Sequence, residues 1–219
     1  MEQSSNRTYR LRGSRITGPQ QSALDKYWGT YGHEYSTELL NITSLFPTAE
    51  QVVLEIGFGM GEATALIGRD FPETGFLAVE VHKPGIGKLM ARIEELELRN
   101  IRIIEGDAHP ILKTMIPDNS VDGIHLFFPD PWPKQREQSR RLLRPEVVAQ
   151  LAEVLKPGGC IRLATDIEDY WRKSSGIIAA SGFFAPPIVG RPEWRIETVF
   201  EKRGNAAGLP AVDMSFERL

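Results

Sequence analysis

The chain has 219 residues, with 26 basic and 29 acidic side chains and a formal net charge of −3. Hydrophobic residues make up 41% of it and charged residues 25%, which excludes a collagen-like, coiled-coil or wholly disordered chain. The length favours one domain with extensions. The small negative charge argues mildly against a partner as anionic as nucleic acid.

The chain has a single cysteine, Cys160, which excludes an internal disulfide and a cysteine-based zinc site. No hydrophobic segment approaches the ~18 residues that span a bilayer, and residues 1–20 lack the apolar core of a signal peptide. The 4 histidines have no metal-ligand spacing. We therefore expect a cytoplasmic protein that binds neither a membrane nor a metal ion.

Three segments are predicted along the chain. Residues 1–20 are polar, contain Arg7 to Arg15 and end in Gly18-Pro19, which predicts a flexible basic arm. Residues 21–50 are richer in aromatic residues and leucine, which predicts an extension that packs on the core. Residues 51–219 are predicted to form the main domain.

In the main domain, short β-branched or apolar segments alternate with helical patterns, which is typical of βαβ units and a mostly parallel sheet. Strands are predicted at 52–56, 76–81, 101–104, 121–128 and 160–164. Helices are predicted between them, ending near Phe71, containing Leu89 to Leu96, and covering Leu143 to Leu155. Residues 194–200 and 212–216 predict two closing strands that form a hairpin.

The segment EIGFGMGE, residues 55–62, follows the first predicted strand. Its glycines allow a sharp turn and a close approach of the backbone to a ligand at the start of a helix. A dinucleotide site expects glycine where this chain has Glu62, whose charge would face a pyrophosphate, so dinucleotide binding is disfavoured. A tight turn with incidental glycines is the alternative.

Three carboxylates follow adjacent strands at the edge where open α/β sheets bind ligands. Glu80 lies about 20 residues beyond the glycine turn, which suits an acceptor for ribose hydroxyls. Asp107 suits an acceptor for an adenine N–H, and a cationic group of the ligand fits near Glu55 or Glu62. A cation that carries adenosine meets this description, and S-adenosylmethionine is such a molecule.

The segment FFPDPWPK, residues 127–134, follows the fourth predicted strand. Its three prolines restrict the backbone around Asp130 and Trp132, which suits either a rigid pocket wall or a rigid surface loop. Residues 134–144 contain five basic side chains and one acidic side chain. They predict either a phosphate-binding surface or a solvated helix face.

Together these segments resemble the bacterial tRNA (guanine-N7-)-methyltransferase family. The resemblance covers roughly residues 50–219 and is carried by EIGFGMGE at 55–62, VEVHKPGIG at 79–87, FFPDPWPK at 127–134 with arginines at 140–141, ATD at 164–166 and TVFEKRG at 198–204. It implies an α/β, Rossmann-like methyltransferase fold: a mostly parallel twisted sheet with an antiparallel C-terminal strand and helices on both faces.

The resemblance also implies an activity, the transfer of a methyl group from S-adenosylmethionine to N7 of a variable-loop guanine, guanine-46, in tRNA. The enzyme is expected to be a monomer or a homodimer. Two alternatives stay open from the residues: a methyltransferase that acts on a small molecule or a protein, and a non-catalytic nucleoside- or RNA-binding module.

Residue roles follow from the resemblance position by position. Asp130 is the implied catalytic residue. Cofactor contacts are implied or expected for Glu55, Gly57, Gly59, Gly61, Glu80, Asp107 and Asp130. Substrate contacts are implied for Lys134, Asp166, Thr198, Val199, Phe200 and Glu201. Glu137 and Leu209 depart from the family pattern in segments expected to face the substrate.

Overall fold

The computed structural model describes Tyr9 and residues 15–219. Its strands are β1 (Gly32–Glu34), β2 (Gln51–Ile56), β3 (Thr74–Glu80), β4 (Ile101–Glu105), β5 (Val121–Phe127), β6 (Leu155–Thr165), β7 (Ile188–Val189) and β8 (Val212–Glu217). Its helices are α1 (Gly18–Tyr31), α2 (Ile42–Leu45), α3 (Glu62–Asp70), α4 (Lys83–Glu95), α5 (Ala108–Thr114), α6 (Pro145–Val154), α7 (Glu168–Ala180) and α8 (Val199–Ala206), with a 3₁₀ helix at Gln135–Arg140.

The strands form an 8-stranded sheet in the order β1-β4-β3-β2-β5-β6-β8-β7. Strands β1 to β6 pair in parallel, whereas β8 is antiparallel to both β6 and β7. The chain proceeds from β2 through β3 to β4 on one side and from β5 to β6 on the other. The strand order therefore reverses between β2 and β5, where open α/β sheets form a ligand-binding crevice at the carboxyl ends.

Two apolar layers cover the two faces of this sheet. One layer lies under α1, α3 and α4 and includes Phe76, Leu89 and Ile93. The other lies under α5, α6 and α7 and includes Leu54 and Val147. Each such fully buried side chain stabilises the fold by about 1.5–3 kcal/mol. The predicted sheet with helices on both faces is confirmed.

The predicted C-terminal hairpin is wrong in its first strand. Residues 194–198 are irregular and α8 begins at Val199, because Thr198 and Glu201 form a capping box that starts a helix. The second predicted strand is present as β8, which lies between β6 and β7.

Helix α1 begins at Gly18, so its first residues fall within the segment predicted as an arm. Residues 1–8 and 10–14 of that segment lie outside the described residues. The helix packs on α4, where the hydroxyl of Tyr31 donates to Glu94. In the part of the chain described here, no helix combines the length and apolar character needed to cross a lipid bilayer.

Candidate active site

A cavity of about 580 Å³ lies at the carboxyl ends of β2, β3, β4 and β5. It is lined by the glycine turn after β2, by Glu80, by Asp107, by the loop after β5 and by residues of α8. Its volume falls within the roughly 300–1,000 Å³ typical of small-molecule sites. The cavity therefore lies in the crevice that the strand order creates.

The glycine turn exposes its backbone to this cavity. Gly57, Gly59 and Gly61 have φ of 79°, 63° and 70°, a region that favours glycine. A Cβ atom on Gly57 or Gly59 would have no atom within 4 Å, whereas one on Gly61 would lie 2.6 Å from Cβ of Leu89. The first two positions therefore face open space, and a ligand can approach the backbone there.

Glu80 is held by backbone N–H groups. Its Oε2 accepts from Gly59 N at 2.8 Å, and its Oε1 accepts from Val81 N at 2.7 Å and from His82 N at 3.0 Å. A carboxylate has about four acceptor positions, so this arrangement fixes the group and leaves an acceptor for a ligand hydroxyl. The same contacts tie the end of β3 to the glycine turn.

Asp107 and Glu55 bring two further carboxyl groups to the cavity. Asp107 caps α5 by accepting from His109 N at 3.2 Å. Glu55 is buried at the end of β2. Burial, opposed by the nearby Thr64 hydroxyl and assisted by the charge of Glu80, raises the pKa of Glu55 to about 7. A cation beside Glu55 would favour its ionised form.

The loop after β5 carries unusual backbone conformations at two aromatic residues. Phe128 has φ of 53° and Trp132 has φ of 41°, and a non-glycine residue in this region costs about 1–3 kcal/mol. Trp132 is buried, with the guanidinium of Arg140 4.7 Å from its ring centre. Phe128 and Asp130 line the cavity. The loop thus turns Trp132 inward and holds Asp130 at the site.

Known proteins that resemble the chain identify its family. A family model described as "Putative methyltransferase" matches residues 49–213. A tRNA (guanine-N(7)-)-methyltransferase of Neisseria meningitidis serogroup A is 43% identical over 216 residues, which cover 97% of this chain and 91% of that protein. The enzyme of the same name from Nitrosospira multiformis is 43% identical over 215 residues, 97% of this chain and 94% of that protein.

The chain belongs to the tRNA (guanine-N(7)-)-methyltransferase family.

Solved structures agree on the fold of this family member. The 16S rRNA methyltransferase KamB superposes with a TM-score of 0.62 at 16% identity, covering 83% of this chain and 94% of that chain. A precorrin-6y C5,15-methyltransferase from Geobacter metallireducens superposes with a TM-score of 0.54 at 17% identity, covering 81% and 85%. At these identities the likeness shows the fold alone, which is the expected Rossmann-like methyltransferase fold.

The structure brings the seven expected cofactor contacts of the methyltransferase together. They all line the cavity: Glu55, Gly57, Gly59, Gly61, Glu80, Asp107 and Asp130. Among Tyr9 and residues 15–219 there is no cluster of three or more His, Cys, Asp or Glu side chains that suits a metal ion.

The expected substrate contacts are more dispersed. Thr198 and Phe200 line the cavity, and Phe200 is 41% exposed. Glu201 is buried among arginine side chains and does not line the cavity. Lys134 is exposed and also lies outside the lining. The Asp166 carboxylate packs beside Gly204, where a Cβ would lie 3.1 Å from Oδ2. The Val199 side chain is not described.

The predicted basic surface at 134–144 is wrong for Arg141. That side chain is buried, and its Nε donates to the carbonyl of Pro131 at 2.9 Å while Nη2 donates to Asp169 at 2.6 Å. Its guanidinium also lies 5.2 Å from the centre of the Tyr170 ring. Arg141 therefore stabilises the loop that carries Asp130. Lys134 and Arg136 are the exposed cations of this segment.

Sequence reasoning missed several cavity residues, three of them near α8. They are Tyr9, Met60, Lys88, Leu142, Ile196, Glu197 and Lys202. The spacing of Thr198 and Glu201 was the available signal, because a Thr-x-x-Glu pattern marks a helix start and would have placed Lys202 and Arg203 on a helix.

Proposed function

We propose that this protein transfers the methyl group of S-adenosylmethionine to N7 of guanine-46, in the variable loop of tRNA. Its family is that of the tRNA (guanine-N7-)-methyltransferases, and its cofactor is S-adenosylmethionine. The position of the target guanine is the finer part of the proposal. The proposal as a whole rests on one observation. Glu55, Glu80, Asp107 and the glycine turn line the same cavity as Asp130, Thr198 and Phe200.

The part of the cavity lined by the glycine turn, Glu55, Glu80 and Asp107, which we call the inner cavity, fits this cofactor. When bound, S-adenosylmethionine supplies a methyl group on a positively charged sulfur. Glu80 would accept from the ribose hydroxyls, Asp107 from the adenine N–H, and Glu55 would lie near the cationic part. Gly57 and Gly59 leave the space for close approach. Acidic groups around a cation are electrostatically favourable.

Methylation of guanine N7 requires little proton chemistry from the protein. N7 already has a lone pair in the ring plane and loses no proton, so the protein needs no general base. Its task is to align N7 with the methyl group. Positive charge develops on the purine as the bond forms, and the carboxylate of Asp130, held in its rigid loop, stabilises that charge.

The part of the cavity lined by Thr198 and residues of α8, which we call the outer cavity, suits a nucleotide base and the sugar-phosphate backbone next to it. Phe200 is a partly exposed aromatic residue of the lining, and aromatic side chains of this kind stack on nucleotide bases. Lys202 and Arg203 border the same cavity and supply positive charge for phosphate groups. Because a base within folded RNA cannot enter such a cavity, we infer that the target nucleotide swings out of its stack.

The proposal extends to the form of the enzyme. We place it in the cytoplasm, as a monomer or a homodimer. The basic residues before α1 add RNA contacts, residues 21–50 serve as an extension on the core, and residues 51–219 serve as the catalytic domain.

The test is incubation with unmodified tRNA and S-adenosylmethionine, followed by borohydride and aniline treatment, which cleaves RNA at 7-methylguanosine. We expect one cut, at position 46, and none in a transcript with adenine at that position. Cleavage at another guanine would overturn the proposed position. Labelled methyl entering a small molecule or protein but not tRNA would overturn the proposed substrate.

A further inference from the structure

Arg195 has a buried guanidinium that bridges two carboxylates. Its side chain is 1% exposed. Nη1 donates to Oε2 of Glu201 at 2.8 Å, and Nη2 donates to Oε1 of Glu201 and to Oδ2 of Asp213, each at 2.7 Å. The planar guanidinium thus engages a carboxylate of α8 and a carboxylate of β8 at once, a geometry that lysine cannot reproduce.

A second arginine balances the charges of this cluster. Arg191 pairs with Glu201, and its Nη2 donates to the backbone carbonyl of Arg195 at 2.8 Å. Burial alone would raise the pKa of Glu201, but hydrogen bonds and charge from Arg195 and the charge of Arg191 hold that pKa below its ordinary value. Two cations and two carboxylates therefore form a closed ion network.

The network joins the segments that form the outer wall of the cavity. The irregular segment before α8 contributes Ile196 and Thr198 to the lining, and α8 contributes Phe200. Glu201 also takes part in the capping box, where its Oε2 accepts from Thr198 N at 3.4 Å and Thr198 Oγ1 accepts from Glu201 N at 3.1 Å. The Arg195 contacts therefore reach Thr198 through one shared carboxylate.

Arg195 also contacts the loop that carries Asp130. Its guanidinium lies 5.7 Å from the centre of the Phe127 ring and 5.9 Å from that of Phe128. Phe128 is two residues before Asp130 and lines the cavity. Arg195 thus contacts both α8, through Glu201, and the segment that leads into the Asp130 loop.

None of Arg195, Glu201 and Asp213 lines the cavity. We propose that Arg195 is a positioning residue for methyl transfer: through Glu201 and Asp213 it fixes residues 196–203 relative to the Asp130 loop. Glu201 then acts on the substrate through Thr198 and α8, without touching the base. This inference deepens the proposed function and rests on it.

A double-mutant cycle separates positioning from direct contact. The variants are Arg195→Met, Glu201→Gln and the double variant, and the readout is the single-turnover rate at saturating tRNA and cofactor. We expect each single variant to lose about 10- to 100-fold in rate and the double variant to lose no more, since both changes break one network. Losses that multiply in the double variant, or an Arg195→Met rate within about twofold of wild type, would overturn the inference.

A pure stability effect is excluded by two further measurements. Ile178→Ala removes a buried side chain of α7 that lies outside the cavity, and it should lower the melting temperature without changing the rate. Amide hydrogen exchange of the ligand-free Arg195→Lys variant should accelerate in residues 198–203 and stay unchanged in β2. Two outcomes would show that the positioning role is wrong. One is that Ile178→Ala and Arg195→Met lose the same amount of rate for each degree of melting temperature lost. The other is that hydrogen exchange in residues 198–203 of Arg195→Lys is unchanged.

The two proposals fail in distinguishable ways. A wild-type enzyme that transfers no methyl to tRNA would overturn the proposed function and this inference with it. A wild-type enzyme that methylates tRNA, together with a fully active Arg195→Met variant, would overturn this inference alone.

Discussion

The backbone around Asp130 is rigidly held. Prolines flank it on both sides, Phe128 has a strained φ, and the buried Arg141 holds the next carbonyl. Such support keeps a carboxylate in one geometry before the substrate arrives. A charged group that is already in place stabilises a transition state most effectively, because it does not have to reorganise.

We therefore expect Asp130→Asn to lower the methyl-transfer rate by roughly 10²–10³-fold, because it removes the charge and keeps the shape. Cofactor affinity should fall but stay measurable by calorimetry. Asp118→Asn, at an exposed loop position, is the matched control and should leave the rate unchanged. A near wild-type rate in Asp130→Asn would rule out the catalytic role.

The buried Glu55 predicts a pH dependence of cofactor binding. With its pKa raised to about 7, Glu55 holds a proton below that pH in the ligand-free protein. A bound cation favours the carboxylate, so binding releases the proton and affinity should increase as pH rises through about 7. Calorimetry at pH 6 and pH 8 should show this increase, and Glu55→Gln should abolish it. Glu62→Gln, whose carboxylate is 45% exposed, should retain it.

The titration of Glu55 also affects folding stability, which changes with pH in the opposite direction to cofactor affinity. The unfolded chain loses this proton near pH 4.5 and the folded protein near pH 7, so the stability of the ligand-free protein should decrease as pH rises between these values. A shift of this size corresponds to about 3 kcal/mol. Thermal melts of Glu55→Gln should show a gain over wild type at pH 8 that is absent at pH 4; an equal gain at both would contradict the assignment.

Arg141 and Arg136 should respond differently to substitution. Arg136 is exposed, so Arg136→Ala should weaken tRNA binding and lower the slope of log affinity against log salt by about 1. Arg141→Met should leave this slope unchanged and still slow methyl transfer, because it releases the Asp130 loop. Filter binding across a salt series gives both slopes. A reduced slope in Arg141→Met would restore the phosphate-contact hypothesis.

At the scale of elements, the start of α4 meets the glycine turn backbone to backbone. A Cβ on Gly85 would lie 1.8 Å from the Gly59 carbonyl oxygen. Gly85→Ala should therefore displace the turn and weaken cofactor binding by at least tenfold, about 1.4 kcal/mol. Gly176→Ala on α7 meets no atom within 4 Å and should stabilise its helix by about 0.8–1 kcal/mol with unchanged affinity. Equal cofactor affinities in Gly85→Ala and the wild type would disprove the close approach of Gly85 to the Gly59 carbonyl.

The central strands of the main domain could be predicted because each is a short, densely apolar segment bounded by turn residues. The short edge strand β7 was missed, and β6 begins at Leu155, five residues before the predicted strand at 160–164. The predicted strand at 101–104 differs from β4 by one residue, and that at 52–56 differs from β2 by one. Helix α8 could not be recognised by the same rule, because its segment contains the β-branched and aromatic residues of a strand. The hydrogen bonds between Thr198 and Glu201 override that composition.

The site was predictable where chemistry is tied to a strand end. Glu55 and Glu80 lie at the carboxyl ends of β2 and β3, and Asp107 follows β4, so their convergence follows from parallel pairing. Arg141 and Arg195 were not predictable in the same way. Whether an arginine faces solvent or supports a loop depends on the tertiary packing around it, and nothing local in the sequence separates Arg141 from its exposed neighbour Arg136.

At the scale of the whole molecule, the net charge of −3 averages over two separate environments. Acidic groups at Glu55 and Glu80 are buried in the inner cavity, while Lys134 and Arg136 are exposed. Negative potential inside the cavity attracts a cationic cofactor, and positive potential on the exposed surface attracts an anionic RNA. Both can occur in a weakly acidic protein. Net charge therefore limits non-specific RNA affinity without excluding a local RNA site.

Strand β8 comes after the other seven strands of the sheet in the chain, yet it lies between two of them. Residues 212–217 pair with β6 on one side and with β7 on the other, and Asp213 of this strand anchors Arg195. Until β8 has inserted, β6 has an open edge, which is prone to pair with other chains. The parallel strands β1 to β6 can pair without β8, whereas the contacts that hold the segment before α8 need Asp213. Folding therefore completes the substrate side of the enzyme only when this strand is in place.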